Sequence, residues 1–296
     1  MASRMEISGS FVALVTPFAG GEVDYDAMDR LIEFQIESGT QGLVPCGTTG
    51  ESPTLTHEEQ DQVTAFTVER AAGRVPVIAG TGSNATSEAV QLTEHAGNCG
   101  ADACLVVNPY YNRPTQQGIY QHVARIAEVG LPIVLYNIPS RCAVELSVET
   151  IARMYEEIEQ VVAVKEATGK LDVASAIAAS CDITILSGDD SLTLPICSVG
   201  GSGVISVLAN ILPREIRKLC DDIGAGDTEA ARVQHLRLLP VCKAMFCETN
   251  PIPIKAALAM AGMITEELRL PMTTLSDRHR GPLAKLLAEF GVSIQA

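Results

Sequence analysis

The stretch VVAVKEATGK, residues 161 to 170, opens on four consecutive apolar residues, Val161, Val162, Ala163 and Val164, where a half-exposed strand would alternate apolar with polar. An unbroken apolar run of this length reads as a strand buried on both faces, the situation of a parallel sheet covered by helices. Seven runs of the same character accompany it: FVALVTP (11 to 17), GLVPCG (42 to 47), VPVIAG (75 to 80), ACLVVNP (103 to 109), PIVLYNIP (132 to 139), ITILSG (183 to 188) and GVISV (203 to 207). Between them lie helix-period segments with acidic or hydroxyl starts, among them 24 to 38, 56 to 72, 84 to 98 and 115 to 129. Eight evenly spaced units without a break in composition predict an α/β fold closed into a (β/α)8 TIM barrel, in preference to an open doubly wound sheet. Beyond about residue 226 the strand pattern stops, and helical stretches near 227 to 247, 252 to 263 and 280 to 290 remain. The expected division is a catalytic barrel over 1–225 and a small helical appendage over 226–296.

Bulk composition narrows the function. Of 296 residues, 47% are hydrophobic and 19% charged, enough to bury a sizeable core, and 36 acids against 21 bases leave a net charge of −15. Nucleic acids and anionic membranes select clustered Lys and Arg, so neither is an expected partner, and a small molecule is. Nine dispersed cysteines without a CxxC, and five histidines without HxH or HExxH, suggest no metal site. Such cysteine usage fits a reducing cytoplasm. The first residues show no long apolar segment of the signal-peptide kind, and no apolar run approaches a membrane span.

In a barrel of this kind chemistry collects where the strands end. Lys165 stands at such an end, directly after an apolar core. Burial disfavours the charged form of an amine, and a neutral lysine at a barrel mouth is a Schiff-base nucleophile. The alternative is a lysine that snorkels, or pairs with Glu166 or Asp189. GTTGES (47 to 52) offers two glycines and the hydroxyls of Thr48 and Thr49, either a cradle for a small carboxylate or a hydroxyl-rich turn capping a helix. NPYYNRP (108 to 114) and LYNIPSR (135 to 141) place three of the six tyrosines at strand ends.

Two other motifs compete. GTGSNA (80 to 85) matches a dinucleotide-binding fingerprint, but the position about 20 residues on, where an acid belongs, is the VVNP turn with Asn108. A glycine-rich barrel turn with Asn84 as N-cap is the preferred reading. Asp189 and Asp190 are read as a helix cap rather than as metal ligands.

Taken together, VALVTPF (12 to 18), GTTGES, NPYYNRP, YNIPSR, VKEATG, LSGDD and GVISV resemble the class I aldolases of the N-acetylneuraminate lyase and dihydrodipicolinate synthase superfamily, with the dihydrodipicolinate synthase branch as the nearer likeness. The resemblance covers nearly the whole chain. It implies an enzyme without cofactor or metal that condenses pyruvate with L-aspartate 4-semialdehyde to 4-hydroxy-tetrahydrodipicolinate, in diaminopimelate and lysine biosynthesis. Lys165 would form the imine. Tyr136 would relay protons, and Thr48 would link it to Tyr111, which in this family reaches into a neighbour's site across a tight dimer. Thr49 would hold the pyruvate carboxylate, Gly188 and the Ile205 backbone would line the pocket, and Arg141 would grip the semialdehyde carboxylate. A cytoplasmic homotetramer, a dimer of tight dimers, is implied. The runners-up are a 2-keto-3-deoxy sugar-acid or 4-hydroxy-2-oxoglutarate aldolase, and a non-catalytic keto-acid-binding barrel.

Some members of the family are inhibited by L-lysine. The positions matching that site are Ser52, Pro53, His57, Gln60, Asn84, Glu88 and Tyr110. Gln60 replaces a frequent histidine and Pro53 a frequent alanine, so a weak response is expected.

Overall fold

In a computed structural model that describes residues 5–295, the eight runs form eight strands: β1 (Gly9–Ala13), β2 (Gly42–Val44), β3 (Ile78–Gly80), β4 (Ala103–Val107), β5 (Ile133–Asn137), β6 (Val161–Glu166), β7 (Thr184–Ser187) and β8 (Gly203–Ser206). They make one parallel sheet in the order β2-β1-β8-β7-β6-β5-β4-β3. The two ends of that sheet meet through a Leu43–Val77 bridge and a bond from the Gly80 N–H to the Pro45 carbonyl, which brings the sheet nearly to closure. A TIM barrel results.

Strands β2 and β3 are shorter than their apolar runs. Pro45 has no N–H to give to a ladder, and Cys46 takes φ +55°, so the chain turns away just after Val44. At the start, β1 lies two residues earlier than the run suggests, and the Val15 N–H goes to the Asn210 side chain instead of a strand.

The helices are α1 (Tyr25–Glu37), α2 (His57–Ala71), α3 (Thr86–Asn98), α4 (Gln116–Ala127), a single turn α5 (Pro139–Cys142), α6 (Val148–Glu157), α7 (Leu171–Ser180), α8 (Thr193–Ser198), α9 (Pro213–Gly224), α10 (Thr228–Ala244), α11 (Ile252–Met260) and α12 (Asp277–Glu289). Caps follow the sequence at α1, where Asp24 accepts from the Ala27 N–H, and at α2, where Thr56 and Glu59 form a capping box. At α3 the expectation fails. Ala85 is the N-cap, without a side-chain bond, and Asn84 lies one residue earlier with its Nδ2 donating to the Tyr110 carbonyl.

The packing of the core follows from the strand phase. Phe11, Ala13, Val44, Ile78, Leu105, Val134, Tyr136, Leu186 and Ile205 fill the barrel interior. The intervening positions, such as Val12, Leu43, Cys104, Leu135 and Ile185, pack outward against the helices. The helices after residue 226 contribute Leu238, Val241, Ile254, Leu283 and Leu287 to the cluster that covers β1 and β2, so the appendage shares the barrel's core. No helix among the described residues is long and apolar enough to cross a membrane.

Candidate active site

Whether Lys165 faces the barrel or the helices depends on strand phase. Val161 and Val164 both pack outward, whereas Val162 and Ala163 both pack inward. A strict two-residue period starting outward at Val161 would turn Lys165 outward as well. The ladder between β5 and β6 slips here: Ile133 pairs with Val161 but Val134 with Ala163, leaving Val162 as the extra residue of a bulge. The bulge resets the phase and swings Lys165 inward, the kind of re-aiming bulges supply near active sites.

At that place Lys165 is 4% exposed, and its Nζ lies 4.4 Å from the ring centroid of Tyr136, its register partner on β5. The pairing alternative is ruled out by where the acids go. Glu166 accepts from Asn137 Nδ2 at 3.1 Å and from the Thr168 N–H at 2.6 Å, and Asp189 caps the next turn through Ser191. Lys165 has no carboxylate at ion-pair distance among the described residues. Burial lowers its pKa from 10.5 to about 8, the buried Asp190 opposes, and Arg141 adds to the lowering. Asp190 is in turn held by the Ser206 hydroxyl and by the N–H groups of Val207 and Leu208, both at 3.0 Å, which ties the end of β7 to that of β8. Gly188 gives the lysine room: a Cβ there would stand 3.2 Å from Lys165 Cε and 2.6 Å from Ala167 Cβ.

The structure joins several of the other expected residues. Tyr136 is 5% exposed, and burial pushes its phenol up to about 12 against the opposing influence of Arg141 and then of Thr48. Thr49 is buried and its Oγ1 accepts from Asn250 Nδ2 at 3.0 Å, while Arg141 Nη2 donates to the Asn250 carbonyl at 3.0 Å. Ile205 is fully buried on β8 inside the barrel. Tyr111 stays apart: it is 90% exposed, on a loop where its own φ is +73° and that of Arg113 is +47°.

Two residues that sequence reasoning missed support this site. Asn250 arrives from the segment before α11 and touches both Thr49 and Arg141. Glu51, at the end of the GTTG turn with φ +55°, is buried against Lys255 of α11 at 2.5 Å. No local pattern marks either one.

Beside the site a cavity of about 360 Å³ is lined by Thr48, Ser52, His57, Gln60, Glu88 and Tyr110, among others, with Arg141 on its wall. Gln60 Nε2 is already committed to the Ser52 carbonyl at 2.9 Å, and Glu88 accepts from Ser83 at 2.7 Å with His57 4.0 Å away. Pro53 also lines it, whereas Asn84 lies to one side, tying the Tyr110 loop. Among the described residues no group of three or more His, Cys, Asp or Glu is placed to hold a metal ion.

Comparison with known proteins identifies the family and the fold. The model of the dihydrodipicolinate synthetase family matches residues 6–290. Over 287 residues the chain is 50% identical to the 4-hydroxy-tetrahydrodipicolinate synthase of Syntrophus aciditrophicus, covering 96% of this chain and 98% of the relative. The crystal structure of dihydrodipicolinate synthase from Aquifex aeolicus superposes with a TM-score of 0.96 at 49% identity, covering 98% of this chain and all of that one. That of the enzyme from Cyanidioschyzon merolae with lysine bound superposes at 0.93 with 38% identity, covering 96% of this chain and 98% of that one.

Proposed function

The chain belongs to the dihydrodipicolinate synthetase family, and from that premise we infer that Lys165 is the amine on which it condenses pyruvate with L-aspartate 4-semialdehyde. The activity is that of a 4-hydroxy-tetrahydrodipicolinate synthase, a lyase of the class I aldolase type that serves lysine biosynthesis. One observation carries the assignment of roles: Lys165 is buried without an ion-pair partner among the described residues, lies against the ring of Tyr136, and has its pKa lowered to about 8, so a neutral fraction exists near neutral pH.

The neutral amine attacks the pyruvate carbonyl, water leaves, and the imine loses a methyl proton to become an enamine that attacks the aldehyde. Each of these steps moves a proton. The Tyr136 phenol, against the lysine, and the Thr48 hydroxyl near it are the groups to carry them. Thr49, oriented by Asn250, holds the pyruvate carboxylate with the backbone of the GTTG turn, and Gly188 and Ile205 shape the pocket around it. Arg141 binds the carboxylate of the incoming aldehyde.

Tyr111, exposed on a left-handed loop residue, completes the relay of a neighbouring subunit in a tight dimer, and two such dimers make a cytoplasmic homotetramer. The cavity beside the site is the effector site for L-lysine, as the lysine-bound relative suggests. Residues 1–225 carry the catalytic barrel and 226–296 a helical region that lends it Asn250 and Lys255.

Borohydride reduction in the presence of pyruvate tests this reading. Peptide mass spectrometry should find one pyruvate-derived adduct, on Lys165. An adduct on another lysine, or none, would overturn the mechanism.

A further inference from the structure

Away from the barrel mouth, where α3 packs on α2, Cys99, His95 and Asp61 form a chain of contacts. Cys99 Sγ lies 3.0 Å from His95 Nε2, and His95 Nδ1 lies 3.5 Å from an Asp61 carboxylate oxygen. The same Nε2 is also 3.1 Å from the Asp61 backbone carbonyl. All three residues are partly exposed, so the cluster is open to small molecules.

The charge state of this trio follows from counting donors. In the tautomer protonated on Nε2, the Nδ1 lone pair faces the carboxylate. In the other, the Nε2 lone pair faces the Asp61 carbonyl oxygen. Only a ring protonated on both nitrogens offers a donor to every oxygen, and its Nε2–H then also faces the sulfur, which as a thiolate is an acceptor. We propose that Cys99 is a modification site: a thiolate held in an ion pair with the His95 imidazolium, which reacts with small electrophiles and in particular with hydroperoxides. The thiolate attacks one peroxide oxygen, forming the S–O bond as the O–O bond breaks. The leaving oxyanion takes the Nε2 proton of His95. Sulfur loses two electrons, the peroxide gains them, and the products are a sulfenic acid and water or an alcohol.

Partial burial, and after it the Asp61 carboxylate, push the Cys99 thiol up, so it is the imidazolium against the sulfur that must offset both. Asp61 is the charged group that acts on the thiol from the packed neighbour α2. Cys247 serves as an internal reference, being partly buried and likewise pushed up by burial, with no imidazole against its sulfur among the described residues.

The test is the rate of alkylation of each cysteine by iodoacetamide as a function of pH, read by peptide mass spectrometry on the whole protein. At pH 7 Cys99 should react about tenfold or more faster than Cys247, and its rate should fall off below the usual thiol range of about 8.5. His95→Gln should remove that advantage, and Asp61→Asn, a milder change, should reduce it. With dilute hydrogen peroxide and a dimedone trap, the sulfenic adduct should appear on Cys99, while Cys99→Ser leaves synthase activity intact. A Cys99 rate no higher than that of Cys247 in the unaltered protein, or one insensitive to both substitutions, would overturn the ion pair. Rapid alkylation without a dimedone adduct would overturn the reaction with hydroperoxide.

Discussion

Two lysines are buried in this molecule, and they have opposite fates. Lys165, at the barrel mouth, is 4% exposed, and Lys255, under the C-terminal helices, is 0% exposed. Both ammonium groups sit over an aromatic face, at 4.4 Å from Tyr136 and 4.2 Å from Phe18. Burial lowers the pKa of both. What separates them is a carboxylate: Lys255 has Glu51 at 2.5 Å, and Lys165 has no such partner among the described residues. Burial alone therefore does not make a nucleophile. An amine becomes available when it is buried and left unpaired, whereas a paired one is a structural pin, here fixing the turn that carries Thr48 and Thr49.

The comparison breaks most visibly on removal of each amine. Lys165→Met should abolish synthase turnover, by on the order of 10⁴-fold or more as for loss of other covalent nucleophiles. It should also leave thermal stability unchanged or raise it, because an unpaired buried ammonium is replaced by a side chain that favours the interior. A variant that unfolds would show that Lys165 is a structural pin as well. Lys255→Met should do the reverse. It strands Glu51 uncompensated in the core at a cost of about 3–5 kcal/mol, read as a lower denaturation midpoint. Lys165 should still form the borohydride-trapped adduct. Adding Glu51→Leu should recover part of the loss, since a buried pair replaced by apolar side chains is often tolerated.

Much of this was open to a sequence reader, and the part that was not has a physical cause. Eight apolar runs, spaced by helix-period segments, announce a barrel because each strand buries both faces, and that requirement is local. The direction of Lys165 is not local: in an all-apolar run the phase carries no signal, and the bulge at Val162 is defined by pairing with β5. The same holds for partners. Glu51 and Lys255 lie 204 residues apart, and Thr49 and Asn250 lie 201 apart, so nothing near either residue foretells the other. Asn84 shows the limit of a local rule, since it reads as a cap for α3 but falls one residue before the cap and donates its Nδ2 to the Tyr110 carbonyl in the neighbouring loop.

Arg141 sharpens the contrast, because it is a positive charge near the unpaired lysine and helps to lower its pKa. If it also grips the aldehyde's carboxylate, Arg141→Ala should lower kcat/KM for the semialdehyde by about 10²-fold, the scale of a charged hydrogen-bonded contact worth roughly 3 kcal/mol. The rate of borohydride-trapped imine formation with pyruvate should fall far less. Equal losses in the two assays would remove Arg141 from the aldehyde site.

The pH dependence is smaller and has a definite sign. Lys165 titrates near 8 in the folded chain against an ordinary value of 10.5. The neutral, reactive fraction thus rises about tenfold per pH unit below 8 and levels off above it, and single-turnover imine formation should trace that curve. Between about pH 8 and 10.5 the unfolded chain binds a proton that the folded one does not, so this group's contribution to stability increases as pH rises through that window. A profile that keeps rising about tenfold per unit through pH 9 without levelling off would mean that Lys165 is paired after all.

The smallest effect concerns L-lysine, and it bears on how firmly the paired lysine holds its turn. An amino acid in the cavity would present its ammonium to Glu88 and meet Ser52, His57 and Tyr110, directly beside Thr48. Gln60 spends its amide on the Ser52 carbonyl, and Pro53 stiffens the same turn, so little of that segment is free to follow the ligand. The next residue back, Glu51, is pinned by Lys255 and also accepts from the Arg269 N–H at 3.2 Å. A ligand acts on a distant site only by as much as it prefers one arrangement over another, and a turn fixed at this many points has few arrangements to choose among. Initial rates against L-lysine should therefore show partial inhibition, less than about tenfold even at saturation. Gln60→His, which frees the Ser52 carbonyl and returns a ring to the cavity, should deepen it. Complete inhibition of the unaltered protein at micromolar lysine would show that the turn moves despite its pins, and that the Glu51–Lys255 pair travels with it.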